Sequence, residues 1–333
     1  MKRATVLGSG AWGTALAMVL ADKGLEVRLW SRRDEHAAQI EADRENARYL
    51  PGARLPDALH ATSDLAGALD GADLVLVVVP SHALRGVLAD ARASLPAGVP
   101  LVSATKGVEN DSLMLMGEVF ADVLGAGVTR RLVHLSGPSF AREVAAGLPT
   151  AIVAASDDAQ CALAVQRVFA SDRLRVYTSD DAVGVEVGGA LKNVIAIAAG
   201  ACDGLGFGHN TRAALITRGL AEIGRLAQAK GGQPATLAGL AGMGDLVLTC
   251  TGELSRNRTV GFELGRGRTL ADVLAGLGHV AEGVKTARSA HELAARLDVE
   301  MPITHEVFRV LYEDKPARRA VVDLMTRELR AEF

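Results

Sequence analysis

Ala4-Thr5-Val6-Leu7-Gly8-Ser9-Gly10-Ala11-Trp12-Gly13 runs from a short apolar segment straight into three glycines at GxGxxG spacing, and an apolar, helix-like stretch over residues 12–23 follows at once. A strand that ends in such a turn and feeds a helix predicts the βα unit of a dinucleotide-binding fold, the alternative being a merely structural βα turn. Its first glycine permits the tight turn, its second lets a pyrophosphate approach the backbone, and its third lets the helix pack closely on the sheet. The anion then meets the free N–H groups at the helix start. Gly8, Gly10 and Gly13 take those places, with Ala11 and Trp12 opening the helix.

The same alternation continues down the chain. Apolar runs at 5–7, 27–30, 74–79 and 101–103 are separated by helix-like stretches at 12–23, 34–46 and 81–93, and further runs at 132–135, 151–154 and 174–177 extend the pattern. Strands alternating with helices predict a doubly wound, mostly parallel sheet of Rossmann type. Residues 74–79 are apolar at every position, as a central strand buried on both faces requires, and Pro80 stops the run. From residue 181 the strand-like runs give way to long Ala- and Leu-rich segments at 183–199, 212–229, 288–297 and 303–312. The expectation is an α/β dinucleotide-binding domain over 1–180 followed by an all-α substrate and catalytic domain over 181–333.

The 333 residues carry 36 Lys and Arg against 39 Asp and Glu, a formal charge of -3, and 49% are hydrophobic. That balance excludes a disordered or collagen-like chain, and the length predicts two domains. With no excess of positive charge, neither nucleic acid nor an anionic membrane surface is an expected partner. Mean hydropathy is +0.20, yet the apolar runs at 74–79 and 194–202 fall far short of the about 20 residues of a membrane span, so no stable insertion is expected. The glycines at 8, 10 and 13 interrupt the first apolar run before a signal-peptide core develops, and the sequence reads as mature and cytoplasmic. Cys161, Cys202 and Cys250 stand far apart without a CxxC pair, and eight scattered histidines form no HExxH, so reduced structural thiols and no metal site are expected.

An NAD site commonly carries an acid for the ribose hydroxyls about 20 residues after the glycines. Here the second strand ends Leu29-Trp30-Ser31-Arg32-Arg33, with no carboxylate at its tip. Two guanidiniums suit a 2′-phosphate, so NADP(H) is favoured over NAD(H); the alternative is that Arg32 and Arg33 are solvated charges paired with Asp34 and Glu35. Hydride chemistry on an alcohol and ketone also needs a group for the hydroxyl proton. Lys192, among Gly188, Gly189, Ala190, Val194, Ile195 and Ala196, is expected to be partly desolvated, which brings an ammonium pKa toward neutrality; snorkelling to solvent is the alternative. Lys106 and the run Gly137-Pro138-Ser139-Phe140-Ala141 each follow a strand, where ligands of open α/β folds gather; the alternatives are a surface loop lysine and an ordinary Gly-Pro turn. Asp245 either caps a helix or orients an amine such as Lys192, and Ser255-Arg256-Asn257-Arg258 collects donors of the kind that bind phosphate. His209 reads as a hydrogen-bonded structural histidine rather than a site residue.

Taken in order, residues 8–13, 104–107, 137–141, 188–198, 242–250 and 255–258 strongly resemble bacterial NAD(P)-dependent sn-glycerol-3-phosphate dehydrogenases. The most specific parts are Gly188-Gly189-Ala190-Leu191-Lys192-Asn193-Val194-Ile195-Ala196 and Gly242-Met243-Gly244-Asp245-Leu246-Val247-Leu248-Thr249-Cys250. The resemblance implies reversible reduction of dihydroxyacetone phosphate to sn-glycerol 3-phosphate for phospholipid synthesis, by a cytoplasmic homodimer. It gives Lys192 the role of proton donor and acceptor, with Asp245 in support, and makes Lys106 a ligand of substrate and cofactor. It matches Gly137, Ser139, Ser255, Arg256 and Asn257 to substrate contacts, and Asn193 and Thr249 to the polar surroundings. Gly8, Gly10, Ala11, Trp12, Gly13, Arg32, Arg33, Lys106, Ala141, Arg256, Val280 and Glu282 match cofactor positions. Ala11 stands where the family commonly has serine, and Glu186 at a position where it varies. The competing readings are a 2-hydroxyacid or ketopantoate-type reductase, which lacks the Asp245 and Ser255–Arg258 runs together, and a non-catalytic dinucleotide sensor, which has no use for Lys192.

Overall fold

A computed structural model describes residues 1–277, 281–329 and 331–332 of the chain. They divide into two compact units, Met1–Lys106 with Met114–Glu186, and Gly107–Leu113 with Val187–Phe333.

The first unit is an eight-stranded sheet: β1 (Arg3–Leu7), β2 (Glu26–Trp30), β3 (Leu59–Thr62), β4 (Leu74–Val77), β5 (Leu101–Ser103), β6 (Leu132–Ser136), β7 (Thr150–Ala155) and β8 (Leu174–Ser179). They lie in the order β3-β2-β1-β4-β5-β6-β7-β8, parallel except where β7 runs against β6. Order reverses between β1 and β4, and a doubly wound sheet opens its ligand crevice at the carboxyl ends of such strands. The expected fold is therefore the observed one.

Its helices are α1 (Ala11–Asp22), α2 (Asp34–Asp43), α3 (Leu65–Leu69), α4 (Leu84–Ala91), α5 (Met116–Leu124), α6 (Ala141–Ala145) and α7 (Ala159–Phe169). Because side chains alternate across a strand, β4 feeds two cores at once. Leu74 and Leu76 face the cluster built on Ala15, Leu16 and Leu20 of α1, while Val75 and Val77 face Leu84, Leu88 and Phe120 of α4 and α5.

Sequence periodicity missed β3, whose Leu-His-Ala-Thr buries only Leu59 fully. It also overran α2, which ends at Asp43 because Arg44 turns left-handed at φ 52°.

Helix α8 (Ala182–Gly204) begins just after the boundary expected at residue 180 and carries the chain across the division of the two units. Residues 107–113, which the sequence places with the first half, group with the second. There the Ser289 hydroxyl donates to the Val108 carbonyl at 3.0 Å, and Arg296 donates to the carbonyls of Ser112 and Leu113. The second unit continues with α9 (His209–Ala229), α10 (Pro234–Leu237), α11 (Asp245–Thr251), α12 (Arg256–Gly265), α13 (Leu270–Leu277), α14 (Glu282–Arg296), α15 (Pro302–Tyr312) and α16 (Ala317–Met325), and all its described regular elements are helical.

By length and composition α8 is apolar enough to cross a membrane, unlike the short runs read from the sequence. However, 83% of its apolar window is buried. A helix that is apolar all round is suited to the middle of a bundle.

Helices α8 and α12 meet backbone to backbone. A Cβ on Gly200 would stand 2.0 Å from the Arg258 carbonyl oxygen, and one on Gly261 would stand 1.9 Å from that of Ile197. Only glycine permits this approach.

Candidate active site

In the first unit the turn after β1 is shaped by what a side chain would strike. Gly8 has φ 121°, and a Cβ there would lie 2.2 Å from the Val78 carbonyl oxygen; one on Gly13 would lie 1.9 Å from that of Gly8. These two glycines close the turn against β4 and against itself. Gly10 is different, because a Cβ there meets nothing within 4 Å. The packing leaves that side open, as approach of a pyrophosphate requires. Gly10 is also the N-cap of α1, which has no side-chain cap and no acid in its first turn, so no side chain of this helix start competes for an anion at Ala11 to Gly13. Trp12 Nε1 is buried without a hydrogen-bond partner among the described residues, a donor left over by the fold.

Arg32 and Arg33 stand exposed just past β2, and neither is paired with Asp34 or Glu35. They are available to a doubly charged phosphate. The Gly10 opening, the bare start of α1, the leftover indole N–H and this cationic tip together fit a phosphorylated dinucleotide. Elsewhere along the carboxyl edge, Lys106 follows β5. Gly137, at φ 138°, follows β6 and accepts from the Ser139 hydroxyl at 3.0 Å, and Ala141 opens α6.

In the second unit, Lys192 on α8 donates to Asp245 Oδ1 at the start of α11. Lys192 is 8% exposed and Asp245 1%, so the amine does not snorkel to solvent. Burial disfavours the ammonium and the carboxylate favours it, two opposed effects on one proton. Gly188, one turn earlier, brings the helices to this distance, since a Cβ there would stand 2.7 Å from the Ala241 carbonyl oxygen. Thr249 Oγ1 donates to the Asp245 carbonyl at 2.6 Å and lies 3.4 Å from Oδ1, steadying the carboxylate.

Beside this pair runs a chain of amides. Asn257 Nδ2 donates to Asn193 Oδ1 at 2.9 Å, and the Gly283 N–H donates to Asn257 Oδ1 at 2.9 Å, which ties α8, α12 and α14 together. Ser255 caps α12, its hydroxyl accepting from the Arg258 N–H at 3.3 Å. Burial pushes the Arg256 guanidinium below its ordinary range, and the Glu282 carboxylate opposes that shift. Lys192, Asn193, Asp245, Thr249, Ser255, Arg256, Asn257 and Glu282 are thus gathered in one unit, although they span 91 positions from 192 to 282. Val280 lies outside the described residues.

One feature of the second unit carried no motif. Asp203 grips both Arg212, from Nε at 3.0 Å and Nη2 at 2.6 Å, and Arg258, from Nε at 2.9 Å and Nη2 at 2.7 Å, thereby anchoring the start of α12. His209 corrects an expectation: it is exposed at the start of α9, and no hydrogen bond holds it among the described residues. All three cysteines are free, with burial pushing the thiols of Cys202 and Cys250 up to about 11 and about 12.

A sheet that reverses at β1 and β4 over an open glycine turn, followed by helices that bury a Lys–Asp pair, defines the class of two-unit, dinucleotide-binding α/β proteins with a helical second half. Family models narrow that class: NAD-dependent glycerol-3-phosphate dehydrogenase N-terminus matches residues 3–162, and the C-terminus of the same family matches 181–322. The chain is 60% identical over 331 residues to the glycerol-3-phosphate dehydrogenase [NAD(P)+] of Geobacter sulfurreducens, covering 99% of each. It is also similar to the crystal structure of glycerol-3-phosphate dehydrogenase from Coxiella burnetii, with TM-score 0.94, 44% identity and coverage of 98% and 99% of the two chains. A ketopantoate reductase from Ralstonia eutropha shares the fold alone, at 19% identity and TM-score 0.56 over 96% of this chain and 99% of that one. The chain belongs to the NAD-dependent glycerol-3-phosphate dehydrogenase family.

Proposed function

We propose that the protein reversibly reduces dihydroxyacetone phosphate to sn-glycerol 3-phosphate with NADPH in preference to NADH. The observation that carries the reading is the buried Lys192–Asp245 pair, held in a sequence that is 60% identical to a relative named for this reaction. The nicotinamide, when bound, supplies hydride to the carbonyl carbon. Lys192 donates its proton to the carbonyl oxygen as charge develops there, and recovers it in the reverse direction. Asp245 accepts from the Lys192 ammonium and fixes its direction, while Thr249 holds Asp245. Lys106 is a second cation for substrate oxygen and cofactor.

Ser255, Arg256 and Asn257 hold the substrate phosphate, with Asn193 orienting the Asn257 amide; Gly137 and Ser139 contribute further substrate contacts. Gly8, Gly10, Ala11, Trp12 and Gly13 receive the pyrophosphate side of the cofactor, Arg32 and Arg33 its 2′-phosphate. Ala141, Arg256, Val280 and Glu282 complete the cofactor contacts. We further infer a cytoplasmic homodimer that supplies glycerophospholipid synthesis, its oligomeric state to be read by light scattering.

Loss of absorbance at the reduced-nicotinamide band on adding dihydroxyacetone phosphate tests the reaction. Lys192→Ala is expected to lower kcat by ~10²–10⁴-fold, the usual cost of a lost acid–base group, with NADPH affinity retained. Turnover near that of the unmodified protein would remove Lys192 from the chemistry. Failure to oxidise either cofactor, in protein that binds NADPH, would refute the assigned reaction.

A further inference from the structure

Under the glycine turn of the first unit lies a buried polar cluster that none of the assigned roles uses. Asn46 is fully buried and its amide is saturated. Nδ2 donates to the Ser9 carbonyl and to Thr14 Oγ1, both at 2.8 Å, and Oδ1 stands 3.1 Å from His36 Nε2 and 3.4 Å from the Tyr49 N–H. A carbonyl only accepts and a backbone N–H only donates, so the amide has one orientation and His36 carries its proton on Nε2. Nδ1 is then the acceptor for the Ser31 hydroxyl at 3.2 Å and the Ser9 hydroxyl at 3.4 Å. Burial and the nearby cations Arg33 and Arg48 hold the imidazole below its ordinary pKa, and Tyr49 presents its ring to His36 edge-on at 5.2 Å.

The cluster joins two pieces of chain far apart in sequence. Ser9 sits inside the Gly8–Gly13 turn, and Ser31 is the last residue before Arg32 and Arg33. Backbone pairing of β1 with β2 reaches as far as the Gly8 N–H, which donates to the Trp30 carbonyl at 3.1 Å; beyond it the side chains of His36 and Asn46 join Ser9 to Ser31. We propose that His36 and Asn46 are positioning residues for the cofactor, holding the pyrophosphate turn and the cationic tip of β2 at one fixed separation and so tuning selection for the 2′-phosphate. This inference rests on the reading of Arg32 and Arg33 as the 2′-phosphate site. A rigid pair of anchors lowers the cost of ordering the ligand's two ends.

The test is a fluorescence titration with NADPH and NADH, accompanied by kcat and the KM for dihydroxyacetone phosphate at saturating NADPH. His36→Leu, which keeps bulk and removes both nitrogens, is expected to weaken NADPH by about tenfold, as loss of a buried network does, and NADH by less. Its kcat and substrate KM should stay within about twofold of the unmodified values, a split that a general loss of structure does not give. His36→Gln retains a donor toward Asn46 and should recover most of the affinity. Ser31→Ala, which removes one small hydroxyl, serves if His36→Leu does not fold, and should weaken NADPH by about threefold. Unchanged NADPH affinity in the folded variants, or equal losses for both cofactors, would overturn the inference while leaving the dehydrogenase reading intact. An unmodified protein that binds neither cofactor would overturn both.

Discussion

Glu222 sets up a measurable conflict between burial and hydrogen bonding. It is 1% exposed on α9, and its carboxylate takes the place of the missing N-cap of α15, accepting from the N–H of Ile303 at 2.6 Å and from the N–H and hydroxyl of Thr304, both at 3.1 Å. These donors favour the anion, but burial outweighs them and pushes the carboxyl up to about 7 from an ordinary 4.5. The folded state therefore holds a proton that the unfolded chain releases, and the stability this contributes is present in full below pH 4.5 and declines as pH rises to about 7. At 1.36 kcal/mol per unit, the decline is about 3 kcal/mol. Urea unfolding of the protein and of Glu222→Gln at pH 5, 6, 7 and 8 isolates it, because subtracting the two curves cancels the other titrating groups. The glutamine variant should gain on its parent steadily up to pH 7 and no further. A difference that stays flat across the range would refute the assignment of a raised carboxyl at this position.

Other consequences are more direct. Gly261→Ala places a methyl group on the Ile197 carbonyl of α8 and should destabilise by about 1–3 kcal/mol or more, visible as a lowered Tm; unchanged melting would show that the α8–α12 crossing yields easily. Arg256→Ala should raise the KM for dihydroxyacetone phosphate far more than it changes kcat, and an unaltered KM would remove Arg256 from the phosphate contacts. Replacing Arg32 and Arg33 by alanine should weaken NADPH by about tenfold or more with little effect on NADH, as befits charge-assisted phosphate bonds; equal effects on both would end the 2′-phosphate assignment.

What the sequence disclosed followed from the kind of signal involved. The glycine turn was legible because strand, spacing and helix are all local, and so was the sheet, whose strands such as 74–77 are apolar on both faces. The edge strand β3 was not, since an edge strand with one buried residue has neither an apolar run nor an alternation to display. Lys192 and Asp245 could be picked out singly by their apolar settings. Their ion pair spans 53 positions and depends on Gly188 and the Ala241 carbonyl, which no local pattern encodes. Asn46 was hidden for a related reason: periodicity ran the helix through it, while the left-handed Arg44 in fact ends α2 and frees Asn46 to turn inward. His209 misled in the opposite direction: a hydrogen-bonded structural histidine was expected, and the fold leaves it in solvent.

The glycine contact between α8 and α12 also bears on how this protein tolerates change over time. Where two helices touch through side chains, every substitution along the seam resets their spacing by a fraction of an ångström. Here the closest contacts, at Gly200 and Gly261, are main chain on main chain, and the side chains beside them are fixed by the Asn193–Asn257 amide hydrogen bond and the Asp203–Arg258 ion pair. Residues on either flank are then free to drift while Lys192 on one helix and Ser255–Asn257 on the start of the other keep their separation. The same stiffness should keep that separation from widening on heating, so that warming slackens the molecule elsewhere before it slackens the proposed phosphate contacts.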